Sequence, residues 1–349
     1  IKLVHIKSRT QAAREGDMNR IQSNVKGRID LRPRSPYVLL HGRNGGGKSA
    51  VVHSVELACF GEVRDAAGRN IKAKHHVAHV AAPGEELEAH VSFEGGLSFT
   101  WPSKDTYGMV NPISIAMDVM TAGTDKLLVY LLENMDDDHP VTINHSLWDL
   151  SVQQHGSYRK ALVETHKMLS GSVRVYQAKV REHKTVQNWA QGTGDMVSFR
   201  AVQMLLEEDQ ASLDEQKKLL SQVKREMTSF VKGALPALEE KMLRHIADEM
   251  DAPKFCWVGK DLRLGFEGRP VPSGAESVAL AIALAAVTVP DESDSRHVWI
   301  LPDRAYDQKT LGNLMRVLRS LFCRAVVVQS TVLPEGYDYI DNGWDLVEV

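Results

Sequence analysis

Gly42-Arg43-Asn44-Gly45-Gly46-Gly47-Lys48-Ser49 constrains this chain more than any other stretch of it. The run fits G-x-x-x-x-G-K-S, and its flanks supply what such a loop needs. Val38-Leu39-Leu40 precedes it as a short apolar run after Pro36, the pattern of a buried strand. Lys48 to Phe60 follows as a helix, with Val51, Val52, Val55, Leu57 and Ala58 on its inner side. Strand, glycine-rich turn and helix in that order call for an α/β layer with the loop at a strand's carboxyl end. The glycines let backbone N–H groups curl around phosphate oxygens, and the helix N-terminus adds its positive dipole end. Asn44, Gly45, Gly46, Gly47, Lys48, Ser49 and Ala50 are the expected phosphate-binding residues. Lys48 would reach the β/γ-phosphates of a nucleotide, and Ser49 would ligate Mg²⁺.

With 349 residues, 43% hydrophobic and 25% charged, the composition is that of a globular chain of one or two domains. A net charge of −3 gives no overall basic excess. The distribution is less even: Lys2, Lys7, Arg9, Arg14, Arg20, Lys26, Arg28, Arg32, Arg34, Arg43 and Lys48 face only Glu15, Asp17 and Asp30 in the first stretch. A phosphate-facing surface and an ordinary solvated face both fit that bias. Cys59, Cys256 and Cys323 lie far apart, with no C-x-x-C pair, so free thiols in a reducing, cytoplasmic setting are expected and a zinc site is not. No secretory signal is read, and no apolar run reaches the ~20 residues of a membrane span. Ala279 to Val289 is very apolar but short, and reads as a buried helix.

Three regions follow from the pattern. Residues 1–150 read as α/β, with strands at Lys2 to Lys7, Arg28 to Leu31 and Tyr37 to Leu40. Glu86 to Phe93 and Leu97 to Trp101 then form a hairpin about Gly95-Gly96. Residues 151–235 are rich in helix formers. Phe199, Leu206, Leu213, Leu220 and Met227 recur every seventh residue, as do Leu162, Leu169 and Tyr176, with a turn at Gln191-Gly192-Thr193-Gly194-Asp195 between them. The spacing predicts a short antiparallel coiled-coil hairpin, interrupted at Asp209 and Gln216, or else two ordinary packed helices. Residues 236–349 return to α/β: a helix at Leu238 to Met250, strands at Phe255 to Val258 and Leu262 to Phe266, a helix at Ser277 to Val287. A strand from His297 ending at Asp303 follows, then a helix at Leu311 to Leu321 and an apolar strand at Ala325 to Val328.

An apolar strand ending in an acid is what a Walker B motif needs. Asp303 would hold, from its strand's carboxyl end, the Mg²⁺ that Ser49 also holds. Ser273-Gly274-Ala275-Glu276 opens a long apolar helix; taken alone it reads as a Ser cap with Glu three positions on.

Together these residues resemble the split ABC-type ATPase heads of the SMC, double-strand-break-repair and RecF proteins. In those heads an N-terminal half carries the phosphate loop, a coiled coil intervenes, and a C-terminal half carries a signature motif and Walker B. Gly-Arg-Asn-Gly-Gly-Gly-Lys-Ser is similar to the family's G-x-N-G-x-G-K-S, Cys59-Phe60-Gly61 closes the helix similarly, and Ser273-Gly274-Ala275-Glu276 is similar to its S-G-G-E. The resemblance implies an α/β ABC-type phosphate-loop head split by a short coiled-coil hairpin. It implies ATP and Mg²⁺ as ligands, and Ser273, Gly274 and Glu276 at the γ-phosphate held by a second copy or a related head. It also implies DNA as a partner in repair, recombination or replication, with a nuclease or other subunit as a further possible partner, and no membrane.

The departures bear on hydrolysis. The family has Glu after the Walker B acid; here Arg304 stands there, and Arg does not accept a proton at neutral pH. Asp307 is the nearby acid that could serve instead. The His expected after the last strand is absent; Gln329-Ser330-Thr331 stand there, with Ser330 taken as the equivalent. A water- or metal-positioning Gln is sought at Gln153 or Gln154, with Gln154 taken as the metal ligand. Slow hydrolysis is the expectation, and a non-catalytic ATP-binding structural or regulatory subunit is the alternative.

Overall fold

A computed structural model of the chain describes residues 3–10, 28–44, 47–64, 70–72, 85–93, 97–102, 108–135, 138–246, 250–289, 297–321 and 325–349. Gly45, Gly46, the Gly95-Gly96 turn and Cys323 lie outside the described residues. The elements begin with β1 (Leu3–Thr10), β2 (Arg28–Leu31), β3 (Tyr37–His41), α1 (Lys48–Phe60), β4 (Glu62–Arg64), β5 (Asn70–Lys72), β6 (Glu85–Ser92) and β7 (Ser98–Trp101). Helices α2 (Pro112–Thr121), α3 (Thr124–Asn134), α4 (Ser146–His155), α5 (Tyr158–Thr193) and α6 (Met196–Leu243) follow. The chain closes with β8 (Pro253–Val258), β9 (Asp261–Phe266), α7 (Gly274–Thr288), β10 (Trp299–Ile300), α8 (Gln308–Ser320), β11 (Val326–Ser330) and β12 (Trp344–Glu348). Two compact units result: residues Ile1–Ala122 with Glu239–Val349, and Gly123–Leu238.

In the first unit a parallel sheet of order β10-β11-β3-β12 carries the phosphate loop. Its central strands β3 and β11 are buried on both faces apart from His41 at the end of β3, which matches their unbroken apolar runs. A second, antiparallel sheet of order β2-β1-β6-β7 contains the expected hairpin, with Val91 opposite Phe99. Helix α1 shares one apolar cluster with both: Val51, Val55, Leu57 and Ala58 pack with Val38, Leu40, Ile300 and Val327 of the parallel sheet and with Ala89 and Val91 of β6. Residues Val278 to Ala285 of α7 are buried all round the helix, as an apolar run too short for a bilayer requires. Among the described residues no helix is long and apolar enough to cross a membrane.

Several elements depart from the expected layout. The helix at Leu238 to Met250 is not separate: it is the end of α6, which runs through Pro236 to Leu243. A mid-helix proline removes one N–H bond and crowds the preceding turn, at a cost of about 3 kcal/mol. Burial of Val231, Leu235, Leu238 and Met242 on either side of it offsets that cost. Strand β12, which lies parallel to β3 with Trp344 opposite Tyr37, was not expected from the sequence, nor were β4, β5, α2, α3 and α4.

In the second unit α5 and α6, of 36 and 48 residues, form the hairpin. The turn is built from local chemistry. Gly194 takes a left-handed conformation, the Asp195 N–H closes onto the Ala190 carbonyl at 3.0 Å, and the Asp195 carboxylate accepts from the Ser198 N–H and hydroxyl at 3.1 and 2.6 Å. The seam holds Val173, Val180 and Leu213, flanked by Tyr176, Leu206 and Leu220. The interruption at Asp209 is met across the hairpin by His183, 3.2 Å away.

Candidate nucleotide site

The site is assembled at the carboxyl end of the parallel sheet. Because β11 lies between β3 and β10, the phosphate loop leaving β3 and the chain leaving β10 flank the same strand end. Gly47 precedes the first turn of α1 at φ 104°, a left-handed conformation that costs glycine little, and no side chain caps the helix. The first-turn N–H groups of α1 are thus left to whatever occupies the loop. Lys48 is buried, and its ammonium donates to the Gly42 and Arg43 carbonyls at 2.7 and 2.8 Å, so the cation is drawn into the loop.

Asp303 follows β10. The Leu301 N–H continues the pairing to the Val327 carbonyl at 3.1 Å, and the Tyr306 hydroxyl donates to the Pro302 carbonyl at 3.1 Å, fixing the turn beyond it. Burial pushes the Tyr306 phenol well up, so it stays a neutral donor. The open edge of β10 is closed by Asn111, which donates to the Ile300 carbonyl at 3.1 Å and accepts the Ile300 N–H at 3.3 Å. Held this way, the Asp303 carboxylate accepts the Ser49 hydroxyl at 3.0 Å, across 254 residues of sequence. A hydroxyl and a carboxylate are hard oxygen donors of the kind Mg²⁺ takes together with nucleotide phosphates, so the pair fits that ion. Among the described residues no cluster of three or more His, Cys, Asp or Glu could hold a metal ion.

Helix α7 starts where the signature was expected. The Glu276 carboxylate accepts the Ser273 N–H at 2.7 Å and pairs with Arg269 at 2.8 Å; the Ser273 N–H first, and Arg269 after it, hold its carboxyl below the usual range. Glu276 is therefore occupied with its own helix end, while Ser273 and Gly274 are exposed. Arg304 donates from Nη1 to the Gly274 carbonyl at 2.8 Å. A Cβ on Gly274 would meet that nitrogen at 2.9 Å, so the close approach uses the missing side chain.

The remaining expected residues are placed as follows. Asp307 caps α8, its carboxylate accepting the Thr310 N–H and hydroxyl at 2.8 and 2.6 Å. Those bonds, the hydroxyl's first, hold it below the usual carboxylate range. Gln153 and Gln154 lie on α4 in the helical unit, with exposed side chains. Ser330 is buried, and its hydroxyl oxygen accepts the Val332 N–H at 3.1 Å. Gly45 and Gly46 lie outside the described residues. A cavity of about 20 Å³ behind Asp303 is also lined by Gln329, Glu56, Asn111 and Ser114, none of which the motifs pointed to. Burial pushes the Glu56 carboxyl up to about 8.

No family model matches the sequence, and no curated protein matches it. Among solved structures the chain is similar to the Smc head domain with an extended coiled coil, bound to the C-terminal domain of ScpA, derived from Pyrococcus furiosus. That match has 10% identity, covers 100% of this chain and 92% of the other, and has a TM-score of 0.42. It is also similar to the recombination mediator protein RecF with ATP, of the RecFOR pathway, at 10% identity, 96% and 92% coverage and a TM-score of 0.44. The chain's own geometry is that of an α/β unit carrying the phosphate-loop residues, interrupted in sequence by a helical hairpin.

Proposed function

We propose that this chain is an SMC/RecF-like ABC-type ATPase head. In this reading it binds ATP with Mg²⁺, dimerises through the nucleotide with a second copy or a related head, and acts on DNA in repair, recombination or replication. The observation that carries the reading is the 3.0 Å contact between Ser49 and Asp303, which unites the phosphate loop with an acid from the far end of the chain. Lys48 and the α1 N-terminus bind the phosphates; Ser49 and Asp303 hold the ion. Charge neutralisation at the β- and γ-phosphates is what Mg²⁺ supplies when bound. The exposed Ser273 hydroxyl and the Gly274 N–H at the start of α7 are what this end offers to a phosphate carried by the partner head, the Ser273 N–H being held by Glu276.

Arg304 favours a second reading, a head that uses ATP for assembly with little or no hydrolysis. Its guanidinium cannot accept a proton from water, and it is bonded to Gly274. A solution mass measurement, with and without ATP and with and without duplex DNA, tests both. Doubling of the mass with ATP supports the head, phosphate release then separates the two readings, and a monomer under all conditions sinks the ATP-dependent dimer.

A further inference from the structure

Gln329 is 3% exposed, and among the described residues its side-chain oxygen has no hydrogen-bond partner. A buried acceptor left unpaired costs about 1–3 kcal/mol, so it calls for an explanation such as a water or an ion. Its place in the fold gives one. Strand β11 runs between β3 and β10, so its carboxyl end lies between the phosphate loop and Asp303. Side chains alternate along it: Val327 packs with Val38, Leu40, Ile300 and the α1 residues Val51 and Val55, and Gln329, two positions on, takes the same face. Ser330 takes the opposite face, with its hydroxyl already accepting from Val332.

Gln329 and Asp303 line one cavity of about 20 Å³, room for a single water. His53, Arg64, Ser114, Asn111 and Glu56 line it as well, and two of these have their partners in the backbone. The Asn111 amide is bonded to both backbone groups of Ile300, and Glu56 accepts the Arg64 N–H at 3.3 Å.

We propose that Gln329 is a positioning residue for the cation site. Its side-chain oxygen accepts from a water in this cavity, the water donates its other hydrogen to Asp303, and the carboxylate facing Ser49 is thereby fixed. The inference rests on the nucleotide reading above and deepens it, adding Gln329 to the residues named for the cation site.

The test follows Mn²⁺ by electron paramagnetic resonance on the full chain with ATP, alongside ATP titrations in excess EDTA. Gln329→Leu keeps the volume and removes an unpartnered polar group, so its melting temperature should equal or exceed the wild type's. Its Mn²⁺ affinity in the presence of ATP should fall about 10–100-fold, the usual loss for an outer-shell partner, with ATP affinity in EDTA unchanged. Gln329→Glu, which keeps the acceptor, should retain most of the Mn²⁺ affinity, and Ser330→Ala all of it. The inference is overturned if Gln329→Leu binds Mn²⁺ like wild type, if it weakens ATP equally in EDTA, or if Ser330→Ala takes the loss. A wild-type chain that binds no ATP, or gains nothing from Mn²⁺, overturns the nucleotide reading itself, an outcome distinct from these.

Discussion

Arg304 reaches back thirty residues to the first turn of α7, where its Nη1 donates to the Gly274 carbonyl oxygen at 2.8 Å. The residue that follows Asp303 is thus tied to the helix end that faces a partner head in the proposed assembly.

Arg304→Ala should cost about 1 kcal/mol in denaturant unfolding, the ordinary worth of such a bond, and should speed amide exchange at the start of α7. It should leave ATP turnover, expected below ~1 s⁻¹ in the wild type, no lower than before. A clear loss of turnover in this variant would place Arg304 in the chemistry.

Lys48→Ala removes the cation held inside the loop by the Gly42 and Arg43 carbonyls. ATP affinity should drop by more than ~10²-fold, the loss of one or two charge-assisted bonds. Calorimetric titration measures it, and near-wild-type binding would mean that the phosphates sit elsewhere.

Ser273→Arg alters an exposed residue at the N-terminus of α7. The monomer's ATP affinity should stay within about twofold, as for a surface change. The ATP-dependent dimer should be lost, because bulk and positive charge are added where the partner's phosphate would lie. Light scattering with ATP gives the answer; persistence of the dimer would leave Ser273 an ordinary helix start.

Glu56 supplies a pH signature. Its carboxyl is pushed by burial from 4.5 to about 8, so the folded state holds this proton more tightly than the unfolded chain does. The associated stability is present in full below pH 4.5, is lost progressively as pH rises towards 8, and stays lost above. Glu56→Gln should therefore match the wild type near pH 4.5 and exceed it increasingly up to pH 8, by roughly 2 kcal/mol or more. Paired unfolding curves across that range check the difference; a flat difference would mean that Glu56 stays ionised in the fold.

The loop, its strand and its helix were legible because they are contiguous: Val38 to Phe60 carries its own periodicity, turn glycines and helix start. The hairpin turn at Gly194-Asp195 was legible for the same reason, its cap and left-handed glycine being local chemistry. Tyr176, Leu206, Leu213 and Leu220 of the hairpin seam could likewise be read from their seven-residue spacing, although Val173, Val180 and the partner of Asp209 could not. That the helix expected from Leu238 continues the hairpin helix through Pro236 was not legible, because local propensity is a weak prior and burial of the neighbouring residues keeps the helix whole.

What the sequence by itself determined, then, is which short segments exist and which residues could meet a phosphate. Tertiary structure decided which of them meet one another. The Ser49–Asp303 contact depends on strand order in a parallel sheet, which no local pattern encodes. Gln329 and Ser330 fall on opposite faces of β11 by strand parity, and Val326 to Val328, buried on both faces, show no alternation from which that parity could be read. Asp307 could pass for a spare base in sequence, but a helix begins at the next residue, and the cap takes its carboxylate. Long-range pairing and side-chain facing are set by how whole elements share one core, so they emerge only when the chain is folded.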